Sequence, residues 1–406
     1  MNILYLDHYA GSPELGMEFR PYYLSREWVK MGHRVIIIAG DYSHLRKINP
    51  NVVRDFQTES IDGINYVWLK TGAYESNGVK RAVTMGRFVR KLYMNAKTIV
   101  KKYKPDVVIA SSTYPLDTWP AQRIARLANC KYVHEVHDMW PATLYEVGGM
   151  SKYHPLVVLM QIAENSSYKH CDYCVALLPY AKDYMVKHGL KPEKFVNIQN
   201  GVVEEEWKNY ESIPEDHKIF FENHKEKFIV GYFGGHALSN ALDLLLDTAE
   251  LIIDNEIIFV LVGDGVEKKK LVERKDEESI KNLFFLDSIN KKAIPDLIAH
   301  FDCTIITGKK SPLYRFGICL NKMYDSMMGG KPIICAISAP RTLVEEYDCG
   351  IQVSSAEPLE IKDAIIRMKN MTSEAREKMG KNGRKAIEEK FTYKELSLRF
   401  ISAIKL

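Results

Sequence analysis

One pattern runs through the whole chain: short, continuously apolar segments alternate with stretches of helical periodicity. The first half contains Asn2–Leu6, Val35–Ala39 and Lys131–Val136, and the second half begins the same series with Phe228–Phe233 and Ile257–Val262. Strands that are apolar along most of their length are buried on both faces, which is typical of parallel sheets covered by helices. The sequence therefore predicts an α/β protein with doubly wound, Rossmann-like sheets.

The length predicts two domains, because 406 residues exceed one ordinary core. The first is predicted over residues 1–202 and the second over residues 228–390, with the polar, weakly patterned stretch 203–227 as a linker. Residues 391–406 are predicted to form a helix that crosses back to the first domain. Two such domains facing across a cleft would bind a ligand where the carboxyl ends of the strands meet.

Composition argues against several classes of protein. Lys plus Arg number 56 against 52 Asp plus Glu, which is too balanced to indicate a nucleic-acid partner. Cys171 and Cys174 could form a redox or zinc pair, but no second pair matches them, and buried reduced thiols are the favoured interpretation. No secretion signal precedes the first strand and no apolar run reaches the roughly 18 residues of a membrane span, so we expect a cytoplasmic protein.

The segment Phe316–Ile334 reads as a loop, a helix that starts near Leu320, and a buried strand. Asn321 and Lys322 fall in the first turn, where free backbone N–H groups and the helix dipole favour an anion. Asp325 follows one turn later and can accept hydrogen bonds from hydroxyls beside that anion. The segment suits a ribose diphosphate; the alternative is an ordinary amphipathic helix with a polar cap.

A second polar group follows the strand Lys131–Val136. His137 and Asp138 lie at its carboxyl end, beside Trp140, where a doubly wound sheet places functional groups. His137 could donate a hydrogen bond to a sugar hydroxyl or to a developing charge, although a lone histidine is often structural. His134 lies within the strand, and we expect it to be buried.

Glycine-rich turns follow three strands. The loop Asp7–Gly16 lacks the G-x-G-x-x-G fingerprint, so dinucleotide binding is poorly supported. The second half has a turn that contains Gly235, His236 and Asn240, whose donors would face the same cleft as Asn321. Another turn, Gly263-Asp264-Gly265, would let a nucleotide base pack against the backbone, or is a plain βα turn.

The stretch 87–103 is the strongest charge feature. Its pattern permits two interpretations: a solvated helix packed on the sheet, or a surface helix that contacts an anionic membrane. The apolar face carries Phe88, Leu92, Ala96, Ile99 and Tyr103, and the basic face carries Arg87, Arg90, Lys97 and Lys101.

Together these motifs resemble glycosyltransferase family 4, whose members are retaining enzymes with the GT-B fold. The likeness covers nearly the whole chain and is carried by the Gly16 loop with Met31–Val35, His137–Pro141, Ile198–Val202, Gly263–Gly265 and Asn321–Pro332. More narrowly, the His-Asp-x-Trp-Pro run and the Asn-Lys pair are similar to a bacterial branch that builds O-antigen and capsule, often described as N-acetylfucosaminyl-type transferases.

The resemblance implies that Gly16 admits the donor diphosphate, that His137 contacts the donor sugar and that Asp325 binds the ribose. The family's first glutamate position falls on Gly317 here. The usual Arg and Lys of the second-domain glycine loop are also missing. Lys322 and Arg315 are the predicted replacements that meet the diphosphate charge. The predicted substrate-binding set is Gly16, Asp138, Gly235, His236, Asn240, Gly263, Asp264, Gly265, Leu320, Asn321 and Asp325.

These features predict a metal-independent, cofactor-free retaining glycosyltransferase. It would move a sugar, an N-acetylated amino sugar among the candidates, from a UDP-sugar to a glycan or polyprenyl-diphosphate-linked acceptor. We expect a cytoplasmic protein, and contact of the 87–103 helix with the inner face of the plasma membrane is the alternative to a solvated helix. One alternative is a non-catalytic GT-B scaffold, suggested by the missing glutamate, arginine and lysine. Another is a UDP-sugar epimerase, although no pair of acidic groups is arranged for that chemistry.

Overall fold

The computed structural model describes residues 1–16, 19–74, 78–353 and 357–405. The chain divides into two compact units. Unit 1 comprises Met1–Gln199 with Tyr393–Leu406, and unit 2 comprises Asn200–Thr392. Each unit has one sheet covered by helices, which is the doubly wound architecture that the apolar segments predict.

The sheet of unit 1 has eight strands in the order β3-β4-β2-β1-β5-β6-β7-β8. All neighbours are parallel except β3 and β4, which form an antiparallel pair at one edge. The polar strand β3 was not predicted, because most of its residues face solvent and give no apolar signal. The strands are β1 (Asn2–Leu6), β2 (Arg34–Gly40), β3 (Gln57–Ile61), β4 (Ile64–Leu69), β5 (Val107–Ala110), β6 (Lys131–Val136), β7 (Tyr173–Ala176) and β8 (Phe195–Asn197).

Seven helices precede unit 2 in the described chain. The helix predicted to begin at Met17 starts outside the described residues and is seen from Phe19 onward. The helices are α1 (Phe19–Lys30), α2 (Val79–Met94), α3 (Ala96–Tyr103), α4 (Thr118–Ala128), α5 (Ala142–Glu146), α6 (Pro155–His170) and α7 (Lys182–Lys187), with short 3-10 turns at Pro115–Asp117 and Pro192–Lys194.

The sheet of unit 2 has six parallel strands in the order β11-β10-β9-β12-β13-β14. The strands are β9 (Phe228–Phe233), β10 (Ile257–Val262), β11 (Leu283–Leu286), β12 (Cys303–Thr307), β13 (Ile333–Ala336) and β14 (Gly350–Gln352). The helices are α8 (Glu204–Lys208), α9 (Glu215–Asn223), α10 (Asp243–Leu251), α11 (Lys268–Glu277), α12 (Ile294–Ala299), α13 (Asn321–Met328), α14 (Leu343–Glu346), α15 (Pro358–Asn370) and α16 (Ser373–Lys390), with 3-10 turns at Leu238–Asn240, Lys291–Ala293 and Pro312–Phe316.

The stretch 203–227, predicted to be a linker, is part of unit 2 and contains α8 and α9. It packs there because Ile213 and Phe221 are buried in the cluster around β9, β10 and α12. Three widely spaced buried apolar side chains, Val203, Ile213 and Phe221, were too weak a signal within a polar segment to predict a packed helix.

The last helix, α17 (Tyr393–Lys405), belongs to unit 1. The Trp28 indole of α1 is buried against it, donating from Nε1 to the Ser397 carbonyl oxygen at 3.1 Å. The rings of Trp28 and Phe400 also pack edge to face with centroids 5.1 Å apart. The chain thus returns to its first unit, and buried aromatic packing holds the returning helix in place.

The stretch 87–103 forms parts of two helices, α2 and α3, which meet at Asn95. The five residues of its predicted apolar face are all buried in unit 1. That face is therefore not available to a membrane, whereas the residues of the basic face are exposed. Among the described residues no helix is both long and apolar enough to cross a bilayer.

The cysteines of the described chain are all free thiols. Cys171 and Cys174 are fully buried, and burial raises the pKa of the Cys171 thiol to about 12. Both therefore act as small apolar side chains of unit 1.

Candidate functional site

The carboxyl end of the sheet in unit 1 is organised around a buried ion pair. Glu135, in β6, is fully buried, and the Arg20 guanidinium donates from Nε and Nη2 to its Oε1 at 3.0 and 2.9 Å. Arg20 also donates from Nη1 to the carbonyl oxygen of Gln199 at 2.7 Å. α1 thus places the Arg20 guanidinium at the end of β6. There it is paired with the Glu135 carboxylate and hydrogen-bonded, as a buried charge must be.

The same carboxylate positions His137. Ser111, just after β5, donates its hydroxyl to Oε2 of Glu135 at 2.7 Å, and its Oγ lies 2.7 Å from Nε2 of His137. Nε2 is itself 3.3 Å from Oε2 of Glu135, and the hydroxyl of Tyr5 bonds the same oxygen. Burial would raise the pKa of Glu135, but Arg20 and His137 hold it well below its usual range. The histidine ring is therefore held by an anionic carboxylate while remaining 15% exposed.

The other predicted residues of unit 1 lie around this network. Asp138 is exposed and Trp140 is half-buried. His134 is buried as expected, and burial lowers its pKa to about 3. Gly16 is buried with a φ of +76°, and a Cβ there would lie 2.9 Å from Cγ of Lys47. A glycine is needed at that position, and its role toward a donor stays a prediction.

In unit 2 two glycine turns pack against each other at the ends of β9 and β10. His236 N–H donates to the Asp264 carbonyl oxygen at 2.8 Å. A Cβ on Gly263 would lie 1.9 Å from the carbonyl oxygen of Gly234, and one on Gly265 would lie 2.4 Å from that of His236. These two glycines are required by the close approach of the turns. A Cβ on Gly235, by contrast, would meet nothing within 4 Å, so this turn borders open space.

Lys322, in the first turn of α13, reaches the same place. Its Nζ donates to Oδ1 of Asn240 at 2.9 Å and to the Tyr232 hydroxyl at 3.0 Å, and it lies 4.5 Å from the centroid of the Tyr232 ring. No carboxylate of the described chain lies within ion-pair distance of it. Burial lowers the pKa of the amine to about 8. The ammonium is desolvated and has neutral partners only, which is an arrangement that favours an incoming anion.

His236 is fully buried beside this lysine, and neither of its ring nitrogens has a hydrogen-bond partner among the described residues. Burial, together with the charge of Lys268, lowers its pKa to about 4. The ring is therefore neutral at pH 7 and carries one N–H donor. Buried polar groups are nearly always paired, so these ring nitrogens are available to a bound molecule or to water.

Asp325 follows Lys322 by one helical turn and is half-buried. Burial raises the pKa of its carboxyl to about 6. Its carboxylate has no hydrogen-bond partner within the described residues, so it can accept from a bound molecule. Leu320 is half-buried before the helix, and Asn321 is exposed, accepting from Nδ2 of Asn200 at 3.0 Å.

Arg315, the second residue predicted to meet the diphosphate charge, contacts its own turn. It is exposed, its Nη1 donates to the Pro312 carbonyl oxygen at 2.7 Å, and its guanidinium lies 4.1 Å from the Phe316 ring centroid. Gly317, at the position of the family's first glutamate, has a φ of +90°. The structure thus brings Lys322, Asn240, Gly235 and His236 together but ties Arg315 to its own turn.

Sequence reasoning missed Arg20, Glu135, Ser111 and Tyr232. Glu135 carried a usable signal, because a glutamate inside an otherwise apolar parallel strand must be paired with a cation. Tyr232 carried no usable sequence signal, since a tyrosine in a buried strand is ordinary. Within the described ranges, no group of three or more His, Cys, Asp or Glu side chains is placed to hold a metal ion.

Comparisons with known proteins identify the two units. The model of Glycosyltransferase Family 4 matches residues 16–206, and that of Glycosyl transferases group 1 matches residues 212–386. The protein described as a colanic acid biosynthesis glycosyl transferase, WcaI, of Escherichia coli (strain K12) is 21% identical over 296 residues, covering 70% of this chain and 71% of its own.

Solved structures agree on the fold. Sucrose-phosphate synthase from Thermosynechococcus elongatus has a TM-score of 0.75 at 15% identity, over 100% of this chain and 98% of its own. Anabaena Alr3699/HepE, solved in complex with UDP and glucose, has a TM-score of 0.67 at 16% identity. The match covers 100% of this chain and 99% of the Anabaena chain. With two Rossmann-like units and family models that together span most of its length, the chain belongs to the glycosyltransferases of the GT-B type.

Proposed function

We propose that this protein is a retaining glycosyltransferase that takes a sugar from a UDP-sugar and adds it to a glycan or polyprenyl-diphosphate-linked acceptor. The observation that carries the proposal is Lys322: a desolvated ammonium beside an open glycine turn, bound only by Tyr232 and Asn240. An anionic diphosphate would supply the negative counter-charge that the Lys322 ammonium lacks. Anabaena Alr3699/HepE, a protein of the same fold, was solved in complex with UDP, which supports a nucleotide of this kind.

Lys322 takes the place of the missing basic pair. Its Nζ lies against Asn240, in the glycine loop where the family carries arginine or lysine, so one cation reaches that loop from α13 instead. In the reaction it would stabilise negative charge as the UDP leaving group departs. With this role for Lys322, the chain would be active without the usual loop residues.

Two further groups of unit 2 would complete the nucleotide site. The Asp325 carboxylate accepts hydrogen bonds from ribose hydroxyls, because it has no partner in the described chain and lies one helical turn from Lys322. His236, neutral and unpaired on both ring nitrogens, donates one N–H to a phosphate oxygen. Each contact satisfies a polar group that the free protein leaves unpaired.

His137 is proposed to contact the donor sugar. Glu135 and Ser111 hold its ring at the strand end, so it can bind a hydroxyl without reorganising. We propose no side-chain nucleophile and no bound metal. In a same-face displacement, the leaving diphosphate oxygen accepts the proton of the incoming acceptor hydroxyl while the new glycosidic bond forms, so the anomeric configuration is retained.

Surface polysaccharide synthesis is the proposed setting, since the similar protein WcaI is described as acting in colanic acid biosynthesis. O-antigen and capsule are the candidate products, and an N-acetylated amino sugar is the candidate donor sugar.

A donor screen tests this function. Purified protein is incubated with a panel of UDP-sugars and polyprenyl-diphosphate-linked acceptors, UDP release is measured, and the anomeric configuration of any product is read by NMR. We expect UDP release with one donor and a product of unchanged configuration. An inverted product would contradict the retaining mechanism. Binding of UDP without turnover of any donor would favour the scaffold alternative.

A further inference from the structure

The donor diphosphate proposed for unit 2 carries more negative charge than Lys322 can neutralise. Each phosphate of a UDP-sugar holds about one negative charge, and the terminal phosphate gains roughly one more as the sugar departs, because the second pKa of a phosphate monoester is about 6. Lys322 supplies one ammonium, and His236 is neutral at pH 7 because burial lowers its pKa to about 4. A second cation near the glycine turns would therefore stabilise the departing diphosphate.

The segment that follows β12 is bonded to one of these glycine turns. The hydroxyl of Thr307 donates to the Asn240 carbonyl oxygen at 2.6 Å, and the backbone N–H of Lys309 donates to the Ser239 carbonyl oxygen at 2.9 Å. Asn240 is also the residue whose Oδ1 accepts from Nζ of Lys322. Two hydrogen bonds thus place the backbone of Lys309 beside the residue that holds Lys322.

The backbone on both sides of Lys309 is fixed as well. A Cβ on Gly308 would lie 2.6 Å from the hydroxyl oxygen of Tyr314, so a side chain there would have to displace that ring. On the other side, Oγ of Ser311 accepts from the N–H of Leu313 at 3.3 Å and begins the 3-10 turn that follows. An ammonium that reaches a ligand from a fixed backbone loses side-chain rotamers only, and so the entropic cost of binding is small.

Lys309 carries a charge that the described chain leaves unneutralised. Its side chain is exposed, and its ammonium forms no ion pair with a carboxylate of the described residues. The neighbouring Lys310 differs, because its Nζ lies 2.6 Å from Oε1 of Glu357. Lys268, which follows the other glycine turn, likewise has its Nζ 2.8 Å from Oδ1 of Asp287. Lys309 is thus available to an anion, and its flexible stem lets the ammonium follow the charge as that charge grows.

We propose that Lys309 binds the terminal phosphate of UDP, so that two lysines, Lys309 from the segment after β12 and Lys322 from α13, hold the donor diphosphate. The terminal phosphate is the assigned partner because it carries the larger charge in UDP and because its charge grows as the sugar leaves. An ammonium that follows this growth binds the departing group more tightly than the intact donor, which lowers the barrier to transfer. The inference rests on the proposed function but not on Arg315, whose role toward the diphosphate stays a prediction.

Calorimetric titration of UDP and of UMP into the full chain at pH 7 tests the proposal. Lys309→Met is compared with Lys310→Met, which removes the same charge from a lysine that is already paired with Glu357. We expect Lys309→Met to bind UDP about fivefold or more weakly and UMP within about twofold of wild type, because UMP lacks the second phosphate. Lys310→Met should bind both nucleotides as wild type does, and Lys309→Arg should recover most of the UDP affinity. All three variants should melt near the temperature of wild type, because both lysines are exposed.

The possible results separate this inference from the proposed function. Equal UDP affinity in wild type and Lys309→Met would overturn the inference and leave the proposed nucleotide site intact. Equal losses for UDP and UMP would also overturn it, since they would place Lys309 away from the terminal phosphate. Absence of UDP binding by wild type would overturn the inference together with the proposed function.

Lysine acetylation distinguishes the donor from a second source of diphosphate, a polyprenyl-linked acceptor. The wild-type protein is treated with acetic anhydride alone, with UDP present or with farnesyl diphosphate present, and each acetylated lysine is identified by mass spectrometry. We expect UDP to protect Lys309 and to leave Lys310 as reactive as in the free protein. Protection of Lys309 by farnesyl diphosphate but not by UDP would assign the lysine to the acceptor and overturn the proposal.

Discussion

The strand ends of the two units are built in opposite ways. In unit 1 the polar groups satisfy one another: Arg20, Glu135, Ser111 and Tyr5 form a buried network around His137. In unit 2 the polar groups are left open: Lys322 has neutral partners only, and His236 is buried with two unpaired nitrogens. A satisfied network fixes the position of a side chain, whereas an unsatisfied one leaves polar groups that a ligand can pair.

We therefore expect the polar network of unit 1 to contribute mainly to stability and the open polar groups of unit 2 mainly to ligand binding. Removing a member of the unit 1 network leaves a buried partner unpaired and should destabilise the fold. Removing Lys322 from unit 2 leaves no such partner and should affect the ligand alone. Variants that break either kind of polar network test this division.

Arg20→Ala should be the most destabilising change. Glu135 would remain as a fully buried carboxylate without its guanidinium partner, and breaking a buried ion pair in this way costs about 3–5 kcal/mol. Urea unfolding gives the change in the free energy of unfolding. Arg384→Ala is the matched control, because its pair with Glu388 is exposed and worth at most about 1 kcal/mol. Similar losses for the two variants would remove the ion pair as the source of stability in unit 1.

Lys322→Met should lower turnover about 100-fold with the proper donor, since it removes charge stabilisation from the leaving diphosphate. Its free energy of unfolding should stay close to that of wild type, because no buried carboxylate is stranded. Lys310→Met is the control, since that lysine is 67% exposed and pairs with Glu357. Steady-state kinetics and thermal melting provide the measurements. Wild-type turnover in Lys322→Met would exclude the lysine from the mechanism.

Gly263→Ala and Gly235→Ala form a matched pair within the unit 2 turns. A Cβ at Gly263 would collide with the carbonyl oxygen of Gly234, so we expect a loss of about 1–3 kcal/mol in unfolding free energy. At Gly235 the Cβ enters open space, so stability should hardly change while UDP affinity falls. Unchanged UDP affinity in Gly235→Ala would place the nucleotide elsewhere.

UDP affinity should depend on pH through two groups of unit 2. Lys322, with a pKa lowered to about 8, loses its charge as the pH rises above 8, which weakens attraction for the diphosphate. Asp325, with a pKa raised to about 6, becomes protonated as the pH falls below 6 and then accepts fewer hydrogen bonds from the ribose. We expect the tightest binding between pH 6 and 8, with losses of roughly fivefold at pH 5 and pH 9. In a Lys322→Met protein, UDP affinity should no longer fall above pH 8, while the fall below pH 6 should remain.

The parallel sheets could be predicted from the sequence because most of their strands are largely apolar. Lys131–Val136 and Phe228–Phe233 are observed with the predicted bounds. The edge strand β3 and the helices α8 and α9 could not be predicted, because their residues are mostly polar and their stability comes from contacts with distant segments.

The candidate site could be predicted in part. The turn at Gly235 and the first turn of α13 were both visible as motifs, and parallel strand ends predict that such turns meet. The bond between Lys322 and Asn240 joins residues 82 positions apart, and no local pattern encodes it. The role of Arg315 toward the diphosphate stays a prediction, and its Nη1 donates to the Pro312 carbonyl oxygen of its own turn.

Calorimetric titration of UDP into wild-type protein and into Lys322→Met at pH 7 tests the role of the desolvated lysine most directly. We expect that wild type binds UDP and that the variant, folded to the same melting temperature, binds at least about tenfold more weakly. Absence of UDP binding by wild type, or equal affinity in the two proteins, would contradict that role.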